Sequence, residues 1–395
     1  MMNSSFLYDL DSLPKELKLL LAFMRIEQDN RSISIQRILS KDVDWDHFIL
    51  LVRHHRVSAI IYSQLKKMNP TWVPSYVLET LHQEYHKNVF RMLHLSGELE
   101  RICKLFDEHS IPTLLLKGPA LAFDLYGDIS HRTSRDLDIL VNINQLTEVM
   151  QLVLDQGYVA EDIEMNVLEG WRWRQHHFTF YHPHKKICLE VHWRLSPGPS
   201  KEPSFQELWE RRRINLLTSY STYYLGEADI FCYLITHGAR HGWFRLRWLA
   251  DIDILVRRQT NWSNVKLLLK KYHSLAVGGQ ALILASLLLD TPLNKDMHSI
   301  VSYSGSVKLA QTALQFVREV VDMHSNPPED LERHYRRYLF AAKSRRQKFV
   351  YILSHFYPYP IDAQTLPLPK YINFLYFPLR PILWTWRKAK KFAVT

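Results

Sequence analysis

The stretch TLLLKGPALAFDLYGDISHRTSRDLDILV, Thr113 to Val141, constrains this chain more than any other. Its last six residues alternate in character. On an extended strand Asp136 and Asp138 therefore share one face, while Leu137 and Ile139 share the other. Two like charges on one face of an otherwise apolar strand repel unless a cation sits between them. A second run, ICLEVHW, repeats the arrangement, with Cys188, Glu190 and His192 opposite Leu189, Val191 and Trp193. If the two strands are neighbours, three acids converge, and leaving such buried ions unpaired is costly. A divalent cation is the natural remedy, and oxygen ligands in this number suit Mg²⁺.

The other half of the stretch supplies a turn. TLLL reads as a short buried strand ended by Gly118, and Pro119 suits the first position of a helix, PALAFDLY, that Gly127 stops. A helix that starts directly after a strand points free backbone N–H groups outward, and glycine permits close approach of a phosphate. Metal on one side and helix N-terminus on the other would grip a nucleoside triphosphate. Two metals about 3.5–4 Å apart can activate an acceptor oxygen and stabilise leaving pyrophosphate.

Around this centre the patterning predicts helix for residues 12–110, an α/β segment from Thr113 to about Trp193, and helix again after about residue 220. We divide the chain into an N-terminal helical region (1–110), a core (111–220), a C-terminal helical region (221–330) and a basic, aromatic tail (331–395). Within the core, NQLTEVMQLVLDQG is an amphipathic helix capped by Asn144 and stopped by Gly157, and HFTFY and ICLEVHW flank HPHKK as a hairpin. GWRWRQHHF reads as an alternating strand with Trp171 and Trp173 on one side. Tyr357 to Pro369 reads as an extended linker, and Pro378 and Pro381 are expected to interrupt any single tail helix.

Composition narrows the function classes. The 395 residues carry 50 basic against 40 acidic side chains, a formal +10 that favours anionic ligands, although much of it lies in the tail. The tail leaves two readings: docking on the protein's own helices, or peripheral contact with a membrane. Nucleic acid is not expected as a partner. Three scattered cysteines without CxxC spacing argue against a disulfide framework or a structural zinc site. With no signal peptide and no membrane span expected, the predicted location is cytoplasmic, with the inner membrane surface as the extension of that reading.

Four further residues are candidates for acceptor contact or general base: His192, His237, His241 and Asp251. His237 and His241 share a helix face, but no glutamate follows the first histidine and no third ligand is apparent, which disfavours zinc. Asp251-Ile252-Asp253 imitates the Asp-x-Asp of the strand, yet it sits in a helical pattern where residues two apart diverge by about 200°. We expect Asp251 to cap or pair.

The order LKGPALAFDLYG…RTSRDLDILV, LEVHW, HGARHGWFRLRWLADIDILV resembles a bacterial family of uncharacterised nucleotidyltransferases, within the DNA polymerase β-like superfamily. Enzymes that adenylylate aminoglycosides and lincosamides are more distant relatives. The likeness runs from about residue 40 to 380. It implies an α/β (α+β) core with a small mixed sheet flanked by helices and with helical regions at both ends. It also implies Mg²⁺ or Mn²⁺, and transfer of a nucleoside monophosphate, most often AMP from ATP. By position, Asp136 and Asp138 would hold both metals, Glu190 the catalytic one, and Gly118 the phosphate turn. Where the superfamily usually has Gly or Ser after that glycine, this chain has Pro119, which brings neither N–H nor hydroxyl. Lys117, Arg132 and Arg135 are then the phosphate-binding candidates. The acceptor stays open among sugars, glycans, peptides and proteins, with polysaccharide or peptide natural-product biosynthesis as the setting. The rival reading is a non-catalytic nucleotide sensor or scaffold on the same core.

Overall fold

The computed structural model describes residues 10–25, 36–161, 170–198, 200–258, 261–323, 325 and 327–394. Helices α1 (Lys15–Met24), α2 (Trp45–His54), α3 (Ser58–Met68) and α4 (Ser75–Glu108) precede the sheet. The start of α2 is fixed by Asp44, whose carboxylate accepts from the N–H groups of Asp46 and His47. In the long α4, Met92, Leu95, Leu99, Ile102 and Phe106 are buried at spacings of three and four. That stripe lies against the first two strands.

Seven strands follow: β1 (Thr113–Leu115), β2 (Asp136–Val141), β3 (Val159–Glu161), β4 (His177–His182), β5 (Ile187–His192), β6 (Arg213–Asn215) and β7 (Thr222–Tyr224). They form one mixed sheet in the order β3-β4-β5-β2-β1-β7-β6. β2 runs parallel to β5 and β1 parallel to β7, and the other neighbours are antiparallel. The two acid-bearing strands are thus adjacent, the condition under which the three acids converge. Between the strands lie α5 (Pro119–Tyr126), α6 (Leu146–Asp155), the short α7 (Trp171–Arg174) and α8 (Phe205–Glu210).

Ten helices described after the sheet build the rest: α9 (Glu227–Arg240), α10 (Leu246–Arg257), α11 (Trp262–Lys271), α12 (Leu275–Leu289), α13 (Lys295–Val301), α14 (Ser306–Arg318), α15 (Glu329–Ala341), α16 (Arg345–Ser354), α17 (Pro360–Thr365) and α18 (Tyr376–Val394). α12 is apolar on nearly every side and is buried among its neighbours. One continuous apolar core runs from Leu13 to Tyr338 and joins both helical regions to the sheet. No described helix is long and apolar enough to cross a membrane.

The chain departs from the sequence reading in four places. Trp171 to Arg174 form a helical turn, so Trp171 packs on Phe178 and Trp193 while Trp173 meets Tyr357. The expected linker is folded: Arg174 donates to the backbone oxygens of Ser354, Tyr357 and Pro358, and the buried Asp362 pairs with Arg380 and Arg387. α18 continues through Pro381, because Pro378 falls in the first turn, where a backbone N–H has no helical partner anyway, and only Pro381 removes an interior bond. At α6 the cap moves upstream: Asn142 caps a 3₁₀ turn and the helix starts at Leu146.

Candidate functional site

The parallel register sets Asp136 beside Cys188 and Asp138 beside Glu190. Across the antiparallel β4–β5 pair, Thr179 faces Glu190 and His177 faces His192. Period-two alternation on three adjacent strands therefore gathers Asp138, Glu190, His192 and His177 on one face, while Leu137, Ile139, Leu189, Val191, Phe178 and Phe180 fill the core behind it.

Charges on that face are tightly coupled. The Lys117 ammonium lies 2.6 Å from Asp138 Oδ1. His192 Nε2 lies 3.3 Å from the same oxygen and 3.1 Å from Glu190 Oε2. Burial opposes the charged form of Lys117, but Asp138 outweighs it and raises the ammonium pKa above its ordinary value. Burial also opposes protonation of His192, and its hydrogen bonds to Asp138 and Glu190 reverse the balance upward. Glu190 is held below the usual carboxylate range, because its hydrogen bond to His192 and the field of Lys117 overcome burial. Lys117, expected to reach a phosphate, is instead the internal counter-ion of Asp138.

Two histidines went unnoticed in the sequence. His176 and His177 stand beside His192, with ring centroids 5.4 and 4.8 Å away. Burial, and next the charge of His192, push His177 down to about 4 and His176 lower still, so both are neutral imidazoles. Arg240 on α9 reaches His176 Nε2 at 2.6 Å. The alternation of HFTFYH carried the signal for His177; nothing local pointed to His176 or Arg240.

Beside Asp136 a second group assembles. Ser134 Oγ donates to Asp136 Oδ1 at 3.2 Å, and Ser134 and Arg135 line a cleft of about 200 Å³ with Arg56, Lys87, Arg91 and Arg247. Among the described residues no carboxylate lies within ion-pair distance of Arg56, Arg135 or Arg247, although Glu84, on Arg53, lines the same cleft. Burial, followed by neighbouring arginines, pushes Arg56 down to about 10 and Arg247 to about 9. Arg247 donates to the Thr133 carbonyl, and its Nε is buried without a partner. Such crowding of cations is a ready site for an anion. Of its members only Arg135 was foreseen, since Arg56 comes from the α2–α3 connection and Arg247 from α10.

Other expected residues are placed elsewhere. Arg132 is a correction: it forms a buried pair with Asp251, with side chains 2% and 1% exposed, and cannot reach a phosphate. Asp251 also accepts from Tyr126 Oη at 3.0 Å, so as a candidate acceptor contact or base it is corrected too. Its pairing satisfies the helical expectation. His237 and His241 approach each other and pack on Trp248, and His237 is driven well down by burial and by Lys117. Neither joins the metal-capable groups found among the described residues. Gly118 has a left-handed φ of 70°, and a Cβ there would stand 3.3 Å from the Asp136 carbonyl oxygen. The turn is thus pressed against β2, with Gly118 and Pro119 buried.

Do these residues fit a divalent cation? Asp138, Glu190 and His192 offer ligand atoms within 4.8 Å of one another, and Asp138 Oδ2 is buried with no hydrogen-bond partner. An orphaned carboxylate oxygen facing a second carboxylate is what a metal satisfies. Once an ion displaces the proton shared by His192, Asp136, Asp138 and Glu190 against Lys117 leave two negative charges, the complement of one divalent ion. Asp136 lies outside the tight group, on the side of the arginine cleft. Oxygen with one imidazole nitrogen suits Mn²⁺ as well as Mg²⁺. The residues fit.

A family model described as uncharacterised nucleotidyltransferase matches residues 41–290, a span holding the acid-bearing strands, Arg56, Arg135, Arg240 and Arg247. Neither a curated protein nor a solved structure matches the chain. The match covers well over half of the sequence, and the mixed sheet flanked by helices is consistent with it. This chain belongs to that family of nucleotidyltransferases.

Proposed function

We propose that the protein transfers a nucleoside monophosphate, AMP from ATP, to a hydroxyl or phosphate oxygen of an acceptor. The observation that carries this reading is the β2–β5 register, which sets Asp138 beside Glu190 and leaves Asp138 Oδ2 buried and unpartnered. Asp138 and Glu190, with Asp136 at the rim, would hold Mg²⁺ or Mn²⁺. When bound, that ion neutralises charge on the phosphates and on the attacking oxygen.

The chain's own residues do the rest. Arg56, Arg135 and Arg247 bind the β- and γ-phosphates in the cleft beside Asp136, replacing the N–H that Pro119 lacks. Lys117 holds Asp138 in place through their ion pair. The acceptor oxygen forms a bond to the α-phosphorus, the α–β bridging bond breaks, and pyrophosphate leaves with the bridging oxygen against the arginines. His192 hydrogen-bonds both carboxylates through Nε2, which raises its pKa, and it is not a free base. His176 and His177 are weak ones, so an acceptor hydroxyl loses its proton to water, and an acceptor phosphate has none to lose.

The test supplies Mg²⁺ and labelled nucleotides with cell extract as acceptor, and follows pyrophosphate for wild type, Asp136→Asn and Glu190→Gln. Wild-type release that both substitutions abolish is expected. Release that survives either one overturns the assignment. The buried Lys117-Gly118-Pro119 turn favours one rival, a nucleotide sensor that binds metal–ATP and never releases pyrophosphate. Peripheral membrane contact draws support from α16, the residues just after it and α18, where Phe349, Ile352, Leu353, Phe356 and Ile382 are about half exposed or more beside basic residues. Co-sedimentation with phosphatidylglycerol vesicles, weakened by Phe349→Ser with Ile352→Ser, is the expected result.

A further inference from the structure

A larger cavity, of about 440 Å³, shares no lining residue with the arginine cleft. Its walls are α9, α11, the start of α12, the facing sides of α15 and α16, and the loop that leaves β5. Two α9 residues tie it to the acids. Tyr233 has a buried hydroxyl with no hydrogen-bond partner, and it is close enough to Lys117, Asp138 and Glu190 to feel their charges. Arg240 lines the cavity and touches His176, which meets His192 edge to face. A molecule in this cavity therefore lies beside groups that flank the acids, apart from the residues of the polyphosphate cleft.

The lining states the chemistry of the occupant. Leu195, Leu268, Leu269, Val277, Leu339 and Phe340 make most of the wall apolar. Both carboxylates in the wall are already neutralised, Glu202 by Arg194 at 2.7 Å and Asp229 by Arg211 at 2.8 Å. Of the cations in the wall, Arg336 pairs with Glu332 and Lys201 is exposed, whereas Lys343 and Arg240 are buried in part and uncompensated. Lys343 is half-buried, lies over the Tyr351 ring at 4.9 Å, and has no carboxylate within ion-pair distance among the described residues. Among the described residues, the Arg240 side chain hydrogen-bonds to imidazole nitrogens of His176 and His237 and has no carboxylate within ion-pair distance. An apolar cavity of ligand size with two uncompensated cations calls for an apolar body bearing an acidic group.

We infer that this cavity is the acceptor site and that the acceptor is an acidic amphiphile, with its carboxylate or phosphate drawn to Lys343 and Arg240 and its apolar body among the leucines. The inference rests on the transfer reading for the word acceptor, and on the cavity alone for the ligand class.

Titration calorimetry below micellar concentrations, with decanoate, decyl phosphate, decanol and decylamine as probes, tests it. Wild type should bind one or both acids at least about tenfold more tightly than decanol, and decylamine least, the difference expected of one charge-assisted contact. Lys343→Met should remove that preference and leave decanol unchanged. Val277→Trp, and Thr236→Trp on a different helix, should fill the cavity and abolish probe binding, with melting temperatures confirming that each variant folds. Which acid binds better separates a carboxylate from a phosphate acceptor. Equal affinity for decanol and both acids overturns the ligand class, as does acid binding that survives both filling variants. If the filled variants lose Mn²⁺–ATP binding, the cavity belongs to the nucleotide and the acceptor assignment fails. The Asp138→Asn protein should bind the acids as wild type does. Acid binding without pyrophosphate release in wild type counts against the transfer reading and leaves the ligand class standing.

Discussion

Two buried carboxylates in this protein meet a lysine, and they are not alike. Glu98, on α4, receives hydrogen bonds on both oxygens, from Arg101, Tyr158 and Lys185. Asp138, on β2, has Lys117 and His192 crowded onto one oxygen and nothing on the other. Glu98 has the chemistry of a tie between α4 and the β3–β5 edge of the sheet. Asp138 has the chemistry of a ligand waiting for a partner, since a buried oxygen without one costs stability that a purely structural group has no reason to bear. The difference separates an acid that holds the fold from an acid that acts.

Substitution should break the two apart. Asp138→Asn is expected to cut pyrophosphate release by about 10³-fold, the scale of losing a principal electrostatic element of a site. Its melting temperature should fall less than that of Glu98→Gln, because losing the Lys117 pair is offset in part by relief of the unpartnered Oδ2. A melting temperature that falls as far as that of Glu98→Gln, with turnover intact, would erase the contrast.

Arg132→Met tests the third buried carboxylate, Asp251, which like Glu98 is fully satisfied. Stranding Asp251 should cost about 3–5 kcal/mol by urea denaturation, and Arg132→Met with Asp251→Leu should recover much of it. A single substitution that costs nothing would place Arg132 outside the structural class.

Glu98 sharpens the comparison through pH. Burial works against its charge, but the hydrogen bonds from Arg101, Lys185 and Tyr158 win and lower it to about 2. Its folded value lies below the unfolded one, so its stabilisation is complete above about pH 4.5 and fades as pH falls towards 2. Relative to wild type, Glu98→Gln should lose roughly 3 kcal/mol at pH 7 and much less at pH 3. A penalty independent of pH would mean that packing, and not charge, ties α4 to the hairpin.

The smallest effect is expected at Gly118, where the left-handed backbone and the Asp136 carbonyl leave little room for a Cβ. Gly118→Ala should cost about 1–2 kcal/mol and lower activity by displacing β2. An unaffected melting temperature would show that the turn adapts.

Much of the site was legible because strand alternation is a local rule. Asp136, Asp138, Glu190 and His192 declared their common face in two six-residue runs, and the mixed sheet set the runs side by side. Pattern also told the helical Asp251-Ile252-Asp253 from the strand pair. It failed for Lys117 and Arg132, because a cation in a sequence does not say which of several acids will claim it. It failed for Trp171 to Arg174, where helix and strand spacing are hard to tell apart over four residues. The linker failed for a different reason: prolines read locally as extended chain, while Asp362, Arg380 and Arg387 supply the partners that fold it.

By itself, then, the sequence determined the sheet-bearing core, the shared face of the acids and the family resemblance, since each rests on spacings of a few residues. The tertiary structure alone decided that Lys117 would spend its charge on Asp138. It alone brought Arg56, Arg135 and Arg247 together from three distant segments, and walled a cavity with helices from the far end of the chain. Those outcomes depend on which charges are left unmatched once the apolar faces have packed, a condition of the whole fold that no stretch of sequence carries alone.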